Sequence, residues 1–200
     1  MSFGAQEAHS FFGPLEGKTT TFLVESRLAN LSFARSITSL TSMTKSGCAI
    51  FDIDAFYSSN SNEIMSALPP NAAMSTHVYV PEPGSNVETE FPRFFMAESR
   101  VLIIDSLNTL YHLFSLSGVS SRSRKLAFVV ASLSYFARTS GKVVLFTTYR
   151  REKTMKTGGG KPISDLSDLT VSVEAIDSEL LMKCERGTAW PEGKVSLRIT

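Results

Sequence analysis

Val101-Leu-Ile-Ile-Asp105 constrains this chain more than any other stretch. Four consecutive apolar residues closing on a carboxylate read as a buried strand. Cys48-Ala-Ile-Phe-Asp-Ile-Asp54 is a second apolar run ending in acids, and Val143-Val-Leu-Phe-Thr147 a third. His77-Val-Tyr-Val80, closed by a Pro-Glu-Pro-Gly turn, reads as a further strand. Residues 126–137 have the length and composition of a buried helix ended by Gly141, and residues 64–68 those of a short helix stopped by Pro69-Pro70. The spacing of Phe22, Leu23, Leu28 and Leu31 predicts a helix there too, and residues 81–93 read as loop. Strand–helix alternation implies an α/β core with a largely parallel sheet. Residues 169–175, 179–184 and 194–199 are three strand-like pieces without helices between them, with a last turn at 191–193. They predict an antiparallel C-terminal extension.

Two hundred residues suffice for one sizeable core. No repeat or low-complexity tract divides them, so residues 1–200 are expected to form one domain. The apolar share of 42% and charged share of 20% are those of an ordinary globular protein. A net charge of +1 gives no overall field for nucleic acid, so any basic surface must be local. Cys48 and Cys184 have no Cys or His at ligand spacing, which suggests neither zinc nor a disulfide framework. No secretory pattern opens the chain and no apolar run approaches the roughly 18 residues of a membrane span. A soluble, cytoplasmic protein is the expectation.

Gly13-Pro-Leu-Glu-Gly17-Lys18-Thr19-Thr20 ends in a Gly-Lys-Thr-Thr that leads into the residues read as a helix. Phosphate binding needs backbone N–H groups on small residues, a lysine for the β/γ-phosphates, a hydroxyl for Mg²⁺ and a helix N-terminus aimed at the anion. Lys18 and Thr19 supply the side chains in the right order, beside Gly13, Gly17 and Thr20. The loop is one residue shorter than the full pattern, and Phe12 stands where its first Gly belongs.

Asp105 sits where an acid at the tip of a buried strand can hold Mg²⁺. Asp52 and Asp54, at i and i+2, project to one side of their strand, toward the edge where open α/β sheets bind ligands. Two readings of that pair stand: a carboxylate polarising a water, or solvated strand ends.

The succession of GKTT, AIFDIDAFYSSNSNEI (49–64), VLIIDSLNTLYHLF (101–114), RSRKLAFVVASLSYFA (122–137), VVLFTT (143–148), GGGKPI (158–163) and PEGKVSLRIT (191–200) resembles the ATPase core of RecA/RadA recombinases, the archaeal and eukaryotic RadA branch above all. The resemblance runs from about residue 11 to the end. It implies a RecA-like P-loop core: a mostly parallel twisted sheet flanked by helices, with an antiparallel C-terminal extension. It implies ATP and Mg²⁺ as cofactors, with Lys18 and Thr19 on phosphate and metal, Asp105 as the second metal residue and Asp54 at the position of the catalytic glutamate. The departures are specific. Asp54 is one methylene shorter than that glutamate, and Thr147-Thr148-Tyr149 replaces the family's Thr-Asn-Gln. The segment between Asp54 and Val101 is short. Together with the short loop, these changes predict weakened or lost hydrolysis.

Arg150, Arg151, Lys153, Lys156 and Lys161 crowd the most basic stretch of the chain, with three glycines and one acid, Glu152. The resemblance places the second DNA-binding loop here and the first at 118–125. Mobile cationic loops of this kind track single-stranded DNA, although a solvated loop has the same composition. Phe94-Phe-Met-Ala97 carries the F-x-x-A spacing by which recombinases dock onto neighbours, and Phe128-Val-Val-Ala131 repeats it inside the helix predicted to be core. The resemblance thus implies a recombinase paralogue assisting homologous recombination or DNA repair, with single-stranded DNA, a recombinase or its own copies as partners. An active KaiC-like ATPase and a non-catalytic RecA-fold scaffold subunit are the alternatives.

Overall fold

The computed structural model describes residues 5–44, 47–66, 68, 75–82, 87–114, 122–149, 163–188, 190 and 194–198. The fold is α/β. Eight strands form one sheet: β1 (Thr19–Val24), β2 (Cys48–Asp52), β3 (Thr76–Tyr79), β4 (Val101–Asp105), β5 (Val143–Tyr149), β6 (Leu169–Ile176), β7 (Glu179–Arg186) and β8 (Lys194–Arg198). Their order is β3-β2-β4-β5-β1-β6-β7-β8. The pairings from β3 to β6 are parallel, and β6-β7-β8 is an antiparallel extension. The helices are α1 (Ala5–Phe12), α2 (Arg27–Ser42), α3 (Phe56–Ser59), α4 (Ser61–Met65), α5 (Val87–Phe95), α6 (Leu107–Leu113) and α7 (Arg122–Ser140).

β2, β4 and β5 are apolar on both faces because helices cover both faces of the sheet. Alternate strand residues therefore enter two cores. Phe22, Ile50, Ile103 and Leu145 pack with α1, α2 and Trp190 on one face. Phe51, Leu102, Ile104 and Phe146 pack with α5, α6 and α7 on the other.

Two stretches differ from the sequence expectation. Residues 19–24 form the central strand, and the helix begins only at Arg27. Three consecutive threonines followed by Phe-Leu-Val favour a strand, and Ser26 starts the helix by accepting the Ala29 N–H at 3.1 Å. Within the stretch read as loop, Val87–Phe95 is a helix that buries Phe91 and Phe94. Phe94 is 0% exposed, so it is a core residue and not a docking one, while Phe128 is 72% exposed on α7. The turn at 191–193 and the prolines at 69–70 lie outside the described residues.

The connection leaving β2 runs through α3 and α4 over the first face toward β3. The one leaving β4 runs through α6 and α7 over the second face to β5. The chain thus diverges at the carboxyl ends of β2 and β4, which creates the crevice where open α/β sheets take ligands.

A candidate carboxylate cleft at the sheet edge

Asp52 and Asp105 face each other in the β2–β4 register, and both are fully buried. Asp52 is satisfied: its two oxygens accept the N–H groups of Tyr57 at 3.1 Å and Ser58 at 2.8 Å. It thereby anchors the start of α3, a structural role.

Asp54 emerges one step further, half-buried, and accepts the Ser106 hydroxyl at 2.8 Å. Ser106 in turn accepts the Thr109 N–H at the start of α6. One hydroxyl therefore joins the β2 edge to the helix that follows β4. Ala55, next in the chain, takes a left-handed φ of 55°, a conformation that costs a non-glycine residue about 1–2 kcal/mol. It turns the chain sharply from β2 into α3.

Asp105 is different. Its Oδ1 accepts the Thr147 hydroxyl from β5, but its Oδ2 is buried with no hydrogen-bond partner among the described residues. Burial pushes its carboxyl up to about 7, and the neighbouring Asp54 and Asp52 charges push the same way against the Thr147 hydrogen bond. The site thus holds a carboxyl group balanced between its two protonation states near neutrality.

Tyr149 closes β5 on the same side of the sheet as Thr147. Its hydroxyl accepts the Asn30 side-chain N–H from α2 at 2.8 Å. Burial, then the Asp105 and Asp54 charges, push that phenol well above its usual range. Beside Asp54 and Tyr149 lies an open cleft of about 670 Å³, whose wall also includes Glu25, Ser26, Asn30 and Phe56; the buried Asp52 and Asp105 do not line it. No Lys or Arg lines it among the described residues.

The Gly-Lys-Thr-Thr segment is elsewhere. Gly13 opens a 3-10 turn, and Gly17 adopts a φ of 69° in the tight turn ahead of β1. Thr19 and Thr20 are the first residues of β1, so the segment sits at the amino end of the strand, with no helix N-terminus behind it. The cleft lies at the other end, about 17–20 Å away along a strand of this length. Lys18 donates to the Pro14 carbonyl at 2.7 Å. Thr19 donates both its N–H (2.9 Å) and its hydroxyl (2.8 Å) to Asp168, which also accepts from Ser134 at 2.9 Å and Arg138 at 2.5 Å. Burial opposes the Asp168 charge, but these hydrogen bonds outweigh it and hold the carboxyl down to about 2.

The structure therefore brings Asp54 and Asp105 together and separates Gly13, Gly17, Lys18, Thr19 and Thr20 from them. Where a phosphate cradle would be needed, between β1 and α2, the chain has only Glu25 and Ser26. A carboxylate at that helix start repels phosphate. Nor do three acid, His or Cys side chains converge as a metal set among the described residues. These residues do not fit a nucleotide with Mg²⁺ held in the P-loop manner. Arg150, Arg151, Lys153, Lys156 and Lys161 lie outside the described residues, as do residues 118–121.

Sequence reasoning missed Glu25, Ser26, Asn30 and Phe56 as cleft residues. A signal existed: a Ser that begins a helix, with an acid between it and a β-branched run. Compared with models of known protein families the chain matches none, and no curated protein matches it.

Proposed function

We propose that this chain is a RecA/RadA-like paralogue that assists homologous recombination or DNA repair as a non-hydrolysing subunit, acting through its surfaces on single-stranded DNA or a recombinase. Three apolar parallel strands with carboxylates at the β2 and β4 tips, in the order of the recombinase-like motifs, support the RecA-like reading. The single observation that carries the non-hydrolysing role is the two-residue Glu25-Ser26 link from β1 to α2. It leaves no loop of backbone N–H groups to surround a phosphate. An active KaiC-like ATPase needs that same loop, so the scaffold alternative is favoured over it.

The test pairs two assays on the whole chain. Mg²⁺·ATP turnover is expected to stay at background, in wild type and Lys18→Ala alike. Single-stranded DNA is expected to bind with a strong salt dependence, which flattens when Arg150, Arg151 and Lys153 become Ala. Turnover on the order of 1 s⁻¹, abolished by Lys18→Ala, would overturn the non-hydrolysing role. An unchanged salt slope would overturn the DNA contact.

A further inference from the structure

We draw no further inference here: the strongest candidate, the apolar groove between α5 and α7 whose wall includes Phe91, Phe95, Phe114 and the exposed Phe128, carries none, because nothing in the structure shows what covers it.

Discussion

Asp105→Asn should stabilise this protein above neutral pH and do almost nothing near pH 4. The native Asp105 carboxyl is pushed up to about 7 by burial, with Asp54 and Asp52 adding to the effect, whereas in the unfolded chain it ionises near 3.8. Below about pH 4 both states hold the proton and Asp105 contributes no pH dependence. Between about 4 and 7 the unfolded chain has released its proton while the native protein still keeps it. Stability from this group therefore falls as pH rises, and levels off above about 7. At about 1.4 kcal/mol per pH unit, roughly three units give a ceiling of about 4 kcal/mol. Asn carries no charge and still accepts from Thr147, so it mimics the protonated acid at every pH. Urea unfolding of wild type and variant at pH 4.5 and 8, with a chelator so that the carboxylates titrate alone, measures the difference directly. The expected result is a variant close to wild type at pH 4.5 and more stable by about 2–4 kcal/mol at pH 8. A stability difference that is the same at both pH values would refute the argument, because Asp105 would then not be the group that titrates.

The remaining predictions concern the two ends of β1 and the second core. Asp168→Ala should cost about 1–2 kcal/mol at pH 7, solvent screening included, because it removes the acceptor shared by Thr19, Ser134 and Arg138. That carboxyl is held down to about 2, so its contribution is present above about pH 4 and lost as pH falls through about 2; acid titration of folded fraction in wild type and variant checks it. Lys18→Ala removes one hydrogen bond to the Pro14 carbonyl and should shift unfolding by about 1 kcal/mol or less. Phe94→Ala should cost about 3–5 kcal/mol as a core deletion. Phe128→Ala, at an exposed position, should stay within about 0.5 kcal/mol; calorimetry on both variants would expose the reverse order if Phe94 were the surface residue.

The sheet was legible because its strands say so twice, once by composition and once by their ends. Val101–Asp105 and Cys48–Asp52 are apolar on both faces, and each acid marks where the strand leaves the core. The antiparallel tail was legible from the absence of helical spacing between its strands. β1 was not. Thr19–Val24 has Phe22 and Leu23 close to Leu28 and Leu31, which mimics a helical stripe, and only the run of β-branched threonines argued otherwise. That one misplacement moved Gly-Lys-Thr-Thr to the start of a helix and so created a phosphate loop. Asp54 and Asp105 could be found because strand-end acids are visible in sequence. Glu25, Asn30 and Phe56 could not, because they reach the cleft only through the order of strands and the placement of α2 across the sheet.

This sheet does not depend on a long loop between β1 and α2 to fold. Its stability lies in the apolar strands and the helices that cover them, while the loop between β1 and α2 sits at the edge and contributes little burial. The two-residue link of Glu25 and Ser26 suffices: Ser26 satisfies the start of α2, and both cores close around the sheet. The electrostatic consequence is larger than the structural one. In a nucleotide site the strand-end acids face Mg²⁺ and a cationic cradle. Here Asp52 is held by the Tyr57 and Ser58 N–H groups and Asp54 by the Ser106 hydroxyl, while burial, with the charges of those two acids, pushes the Asp105 carboxyl up to about 7.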